Sequence, residues 1–342
     1  MPADVLAYRI GPDYWWVVVV KGAILLLFLA TAAAYGTYAE RKVAAHIQLR
    51  IGPNRVGPLG LLQPAADAIK LLFKENVAPS GRDRLLFVAG PAMAAVAAIL
   101  AFAVIPIGGS YDLRGYHLTI NVASVNVGLL YVLAVTSLGV YAIFLGGWSA
   151  NSKYSLLGAL RSSAQLISYE MAVAFALIGT VILAGSLNLQ QIVEAQHHAW
   201  FILLQPLGFF LYCTGALAET NRAPFDLPEA ETELVAGYHT EYSGMRFGFY
   251  FLGEYINMVT VCSLATTLFL GGWQPLFGLD VVPGVLWFLG KATILFFAMM
   301  WVRWTWPRLR YDRLMNLGWK VLLPLGLINI VVTGMVVAIR AS

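Results

Sequence analysis

The residues whose types and spacing best fit chemistry are the acids of AETNRAPFDLPEAETELVAGYHTEYSGMRFG, residues 218–248. Glu219, Asp226, Glu229, Glu231, Glu233 and Glu241 fall within 23 residues, one third of the 18 acids in a chain of 342. Pro224 and Pro228 interrupt the run, and apolar stretches flank it. Phe225, Leu227, Leu234, Val235 and Tyr238 interleave with the acids, so part of the segment should fold back onto protein. A carboxyl group held against apolar surface has a raised pKa, and neighbouring carboxyl groups titrate together. Such a cluster suits a proton relay or a redox-linked ionisable site; a solvated acidic loop is the plainer alternative.

Two further acids lie inside apolar runs. Glu170 ends the segment GWSANSKYSLLGALRSSAQLISYE, residues 147–170. An ionised carboxylate at the centre of a bilayer costs about 2.5–3.5 kcal/mol on insertion scales, so this group must face protein or water, in a functional or a structural hydrogen-bonding role. Arg161, Gln165 and Ser168 recur at helical spacing and give that helix a polar stripe. Glu254 sits seven residues, about 10 Å of helix rise, beyond Phe247. Lys291 is the cation of another run, placed either to snorkel to the outer surface or to act inside.

The elements that must hold these groups are membrane helices. The chain is 59% hydrophobic and 12% charged, with a mean hydropathy of +0.73, against about 25% charge in soluble domains. Apolar runs long enough for a hydrocarbon core of roughly 30 Å fall at 14–39, 85–106, 125–147, 156–184, 198–218, 247–272, 283–304 and 319–340. The sequence therefore predicts an all-α integral membrane protein, one polytopic domain over 1–342 with eight transmembrane helices and both termini on one side. The start, MPADVLAYRIGPDYWW, lacks a charged n-region and a cleavage site, so the first run is expected to stay as a mature helix. Loops 40–84, 148–161, 219–246 and 303–320 hold 17 of the 22 Lys and Arg, which places them on the cytoplasmic side or its equivalent. Tyr14, Trp15, Trp16, Trp273, Trp301, Trp304 and Trp306 sit near run ends, as interfacial anchors do.

Within loop 40–84, LQPAADAIKLLFKE (62–75) places Leu62, Ala65, Ala66, Ile69, Leu72 and Phe73 on one helical face and Gln63, Asp67, Lys70 and Lys74 on the other. It is too short and too charged to span. It should be an amphipathic helix at the cytoplasmic-side interface, either resting on headgroups or walling an entrance for a lipid-soluble ligand. Before it, Arg50 and Arg55 flank a Gly52-Pro53-Asn54 turn, and Glu40, Arg41 and Lys42 end the first helix. Positive-inside anchoring accounts for most of that basicity but less well for Glu40. The segment RWTWPRLRYDRLMNLGWK, 303–320, suits anionic headgroups or the acidic face of a soluble partner.

Other chemistries are excluded. Cys213 and Cys262 are too few for a cluster or a Cys-rich zinc site. The segment Gly284–Lys291 misses the P-loop spacing and its Ser or Thr, and His197-His198 lacks i, i+4 spacing. The chain cannot carry nicotinamide chemistry alone, and its basic residues sort by membrane side rather than suiting nucleic acid.

Together, ERK with QLRIGPNRVG, LQPAADAIKLLFKE, SANSKYSLLGALRSSAQLISYE, the acidic stretch and PRLRYD resemble one family: the membrane subunit joining the two arms of proton-pumping NADH:quinone oxidoreductase, respiratory complex I (the H subunit in bacteria, subunit 1 in mitochondria). The resemblance runs from about 14 to 340. It implies eight transmembrane helices, an interfacial helix after helix 1 framing the entrance of a quinone chamber, and a long acidic coupling loop at 219–246 between helices 5 and 6. By motif, it implies quinone-side roles for Arg41, Arg50, Arg55, Asp67, Lys70, Asp226, Glu229, Glu231 and, more distantly, Arg303. Glu219, Glu229, Glu231, Glu233, Glu241, Glu254 and Glu170 would form the proton path. Some family members carry a further acid where this chain has Ser137, so that step would use Ser137, Tyr141 or water. Quinone, ubiquinone or menaquinone, would be the substrate, with no metal or flavin in this subunit. The implied partners are peripheral quinone-site subunits, one of them carrying the terminal iron–sulfur cluster, together with small membrane subunits, antiporter-like pump subunits and lipid. The implied location is a bacterial inner (plasma) membrane or an organellar inner membrane. Rival readings are the equivalent subunit of a membrane-bound hydrogenase or other-donor dehydrogenase, a stand-alone ion carrier, and a structural anchor.

Overall fold

The computed structural model describes residues 15–113, 116–119, 122–226, 235–275 and 282–341. Helix α1 (Trp15–Ile47) leads to the short α2 (Gln63–Phe73) and then α3 (Arg84–Phe102), α4 (Gly128–Ser149) and α5 (Lys153–Ala184). After α6 (Leu189–Ala195), α7 (Phe201–Leu204) and α8 (Pro206–Glu219), a 3-10 turn at Gly237–His239 precedes α9 (Gly244–Phe269). The chain ends with α10 (Gly284–Thr305), α11 (Tyr311–Leu317), a π turn at Gly318–Leu322 and α12 (Leu323–Ala341).

Among the described residues, seven helices are long and apolar enough to cross a membrane: α1, α3, α4, α5, α9, α10 and the run from α11 through α12. The apolar run expected at 198–218 differs. It breaks at Gln205 (φ −134°, ψ 60°) into α7 and the 14-residue α8. Pro206 explains the break, because its ring disfavours α geometry at the preceding residue and it has no N–H to donate. Between α3 and α4 the backbone forms an antiparallel hairpin pairing β1 (Ser110–Leu113) with β2 (Tyr116–Thr119), Ser110 opposite Thr119.

Helix α9 occupies the centre: 72% of its most apolar window is buried, against 17% for α1 and for α10, so Glu254 on α9 is carried into the interior. Small residues on α3, Ala95, Ala97, Ala98 and Ala101, are buried in the packing there. At the inner end of α3, Asp83 caps the helix by accepting from the amides of Leu85 (3.0 Å) and Leu86 (3.1 Å).

Lys291 does not snorkel. It is 7% exposed, and its Nζ donates to the carbonyls of Leu270 (2.7 Å), Gly272 (3.0 Å) and Gln274 (2.7 Å) while lying 4.2 Å from the Trp200 ring centroid. Leu270 lies just past the last turn of α9, where carbonyls lack helical partners and a cation is favoured. Gln196 secures the same end, accepting from Gly271 N–H (2.9 Å) and donating to the Thr267 carbonyl (2.9 Å).

Candidate functional site: a carboxylate cavity and a buried ion-pair chain

Glu170 of α5, Glu219 at the end of α8 and Glu254 of α9 line one cavity of about 90 Å³, together with Thr136 and Ser137 of α4. That volume has room for several water molecules. Its apolar wall is the alanine face of α3, Ala94, Ala97 and Ala98. Ser137 hydrogen-bonds to Glu170 and also to the Leu133 carbonyl one turn back (2.9 Å). Of the two side chains expected near this step, Ser137 meets the carboxylate; Tyr141 is 59% exposed and does not line the cavity.

A chain of alternating charges reaches the cavity from α1. Glu40, 3% exposed, pairs with Arg303 near the inner end of α10 and with Arg222 (3.3 Å), and accepts from the Tyr255 hydroxyl (2.5 Å). Arg222, 2% exposed, pairs through Nε with Glu254 (2.6 Å) and lies over the Tyr255 ring at 4.6 Å. The order Arg303, Glu40, Arg222, Glu254 thus places the buried Arg222 guanidinium between two carboxylates, Glu40 buried and Glu254 partly buried at the cavity. Buried charges persist only when paired, and a proton gained or lost at one is felt by its neighbours.

Local sequence holds Arg222 in place. Helix α8 ends at Glu219, and Asn221 takes a left-handed conformation (φ 51°) that turns the chain out of the helix. Gln165, fully buried on α5, donates to the carbonyls of Ala218 and Phe225, both at 2.9 Å, and so clasps the exit. Farther on, Asp226 pairs with Arg308 (3.1 Å), and Leu309 N–H donates to the Pro224 carbonyl (3.0 Å). The first part of the acidic segment is therefore folded onto protein.

The basic residues divide. Arg41 pairs with Asp67 (2.6 Å) and Lys70 approaches the same carboxylate (3.7 Å), joining α1 to α2, while Gln63 donates to its other oxygen (3.2 Å). Arg50 and Arg55 are exposed in the turn between those helices. Arg303, expected on the quinone side, is engaged with Glu40. Glu241 is half-buried beside the 3-10 turn and does not line the cavity. Glu229, Glu231 and Glu233 lie outside the described residues. His239, buried between Tyr238, Phe247 and Tyr250, has its pKa pushed down to about 4 by that burial.

Sequence reasoning missed Glu40, Arg222 and Tyr255 as functional residues. A signal existed for two of them: Glu40 fitted poorly with positive-inside anchoring, and Arg222 is the base nearest Glu219 in the acidic segment. Tyr255 carried none.

Residues 20–334 match the family model described as NADH dehydrogenase. The chain is 55% identical over 320 residues to the NADH-quinone oxidoreductase H subunit 1 of Geobacter metallireducens, covering 94% of this chain and 96% of that protein. It is 54% identical over 325 residues to the NADH-quinone oxidoreductase H subunit of Thermomicrobium roseum, covering 92% and 94%. A third relative, the NADH-quinone oxidoreductase H subunit 2 of Geobacter sulfurreducens, is 56% identical over 316 residues, covering 92% and 95%. A family match over most of the chain, and relatives of this identity along nearly their whole length, establish that the chain belongs to the NADH dehydrogenase family of NADH-quinone oxidoreductase H subunits.

Proposed function

We propose that this subunit lies at the junction of the peripheral and membrane arms of the complex and couples quinone reduction to proton translocation through the Arg303–Glu40–Arg222–Glu254 chain and the carboxylate cavity. The observation that carries this reading is the convergence of Glu170, Glu219 and Glu254, from three separate helices, on one cavity to which a buried ion-pair chain leads. Glu40 is adjacent in sequence to Arg41, whose pair with Asp67 ties α1 to α2, so the chain begins beside the expected quinone entrance.

Reducing a quinone to a quinol consumes two electrons and two protons. A partner subunit supplies the electrons; acids on the chamber side, including the stretch at 229–233, supply protons. The resulting change of charge near α1 redistributes Arg222 between Glu40 and Glu254. A carboxylate that loses its guanidinium partner gains affinity for a proton, and one that gains the partner releases it. Glu254 transmits the change to Glu219 and Glu170, and the cavity passes it along the membrane to pump subunits as a shift between two charge arrangements. Arg50 and Arg55 form a basic rim facing the peripheral subunits. Helix α2 lies at the interface, and α7 with α8 serves as the eighth span, its break shielded by neighbouring helices. The setting is a bacterial inner membrane, and the names of the relatives favour NADH over another electron donor.

The test is Glu219→Gln in the assembled complex, with quinone reduction and proton translocation measured in sealed vesicles. The reading expects coupled turnover to fall at least about tenfold with assembly intact. Wild-type turnover and translocation would overturn it.

A further inference from the structure

We propose that Gln205 and Asn329, with Thr333 orienting the first, hold one buried water molecule at the break between α7 and α8 and so tie the broken span to α12. The site lies beyond the coupling reading and does not depend on it.

Pro206 has no N–H, so the Ile202 carbonyl four residues back loses its helical donor and the chain turns at Gln205. The Gln205 side chain is 2% exposed. It meets α12, where Asn329 and Thr333, one turn apart, are 5% and 6% exposed. Thr333 Oγ1 donates to the Asn329 carbonyl (2.7 Å), so its lone pairs are left to accept from Gln205 Nε2 (2.7 Å). That bond fixes the sense of the Gln205 amide and leaves Oε1 as an acceptor. Among the described residues, neither Gln205 Oε1 nor Asn329 Nδ2 has a hydrogen-bond partner, and both atoms are buried. Both lie against Gly179 of α5, where a Cβ would sit 2.8 Å from Oε1 and 2.9 Å from Nδ2. A Cβ on Gly208 of α8 would lie 3.1 Å and 3.3 Å from the same two atoms. Glycines on two helices thus admit an unpaired acceptor and an unpaired donor to one corner.

A buried polar group left without a partner costs free energy comparable to a lost hydrogen bond, and here two of opposite sense stand together without bonding each other. The ligand that satisfies both must donate to Oε1 and accept from Nδ2. Water does both. A metal ion would face the N–H groups of both amides, an anion would find no cation, and a larger hydroxyl compound has no path among side chains this deeply buried. Ordered water is one of the means by which broken membrane helices recover lost hydrogen bonds, and a buried water needs about two to four polar partners. Along α5 and α8, the buried Ala172, Ala176, Leu211 and Tyr212 separate this corner from Glu170 and Glu219. The water is therefore an internal one and not an arm of the carboxylate cavity.

The first test is a cryo-electron-microscopy map of the wild-type assembled complex in which ordered water is resolved. It should show a peak within about 3 Å of both Gln205 Oε1 and Asn329 Nδ2. The second is X-ray hydroxyl-radical footprinting, which should label residues 205–207 and 329–333 despite their burial, because the radical forms from the water beside them. Asn329→Leu keeps the volume and removes the amide; it should lower that labelling at least threefold and lower the melting temperature of the complex by several degrees. Gly179→Ala, whose Cβ would press on both amides, should act in the same direction. A wild-type map in which the two amides bond to each other or to protein carbonyls, with no peak between them, overturns the proposal even if neither variant assembles. So does an assembled Asn329→Leu complex that keeps the wild-type labelling.

Discussion

Arg222 Nε and Glu254 Oε1 lie 2.6 Å apart, a buried ion pair between the exit of α8 and the middle of α9. The same guanidinium pairs with Glu40 on α1, so one buried cation bridges a buried and a partly buried carboxylate from distant parts of the chain. Removing one partner of a buried pair commonly costs about 3–5 kcal/mol because the other charge is left uncompensated. Arg222→Gln should therefore lower the thermal stability of the complex and its quinone reductase activity together. Arg222→Lys, which keeps the charge but not the planar fork, should recover stability more than activity. Thermal denaturation and turnover on the two variants check this.

Ser137 provides the hydroxyl that meets Glu170. Ser137→Ala should slow proton translocation several-fold, less than Glu170→Gln does, because water in the cavity can take over part of the hydroxyl's role. Vesicle acidification assays on the two variants rank them.

His239 is held neutral in the folded protein, with a pKa near 4 against the ordinary 6.5. Below pH 6.5 the unfolded chain binds a proton that the folded chain does not, so stability falls as pH drops from 6.5 towards 4. This single group accounts for up to about 3 kcal/mol of that loss at the acid end. Melting curves of wild type and His239→Gln across this range should converge at low pH, with the variant showing the shallower dependence.

Lys291 caps the end of α9 through three carbonyls and touches neither the cavity nor the ion-pair chain. Charge-assisted hydrogen bonds are each worth about 1.5–3 kcal/mol. Lys291→Met should lower the melting temperature by several degrees and leave the quinone KM of the folded complex unchanged. A kinetic defect without a thermal one would contradict the structural role.

How much of this was legible in the sequence depended on whether one residue or a pair carried the information. The long helices follow from apolar runs, a local property, and so did Glu170 and Glu254 as acids where an acid is costly. The break at Gln205 was hidden because hydropathy averaged over 198–218 is insensitive to one proline's removal of backbone geometry. The pair Glu40 and Arg222 is separated by 182 residues, and nothing in composition or spacing joins two such positions. Tyr255 reads as an interior aromatic until Glu40 is placed against its hydroxyl. Lys291 was open between two roles because its fate depends on the carbonyls at the end of a different helix.

The central claim is that the charge state of the cavity carboxylates changes when quinone is reduced. The direct measurement is the redox-induced infrared difference spectrum of the assembled complex. The account predicts carboxyl bands on quinol formation that diminish in Glu219→Gln and Glu254→Gln and shift in Arg222→Gln. An identical difference spectrum in all three variants would contradict it.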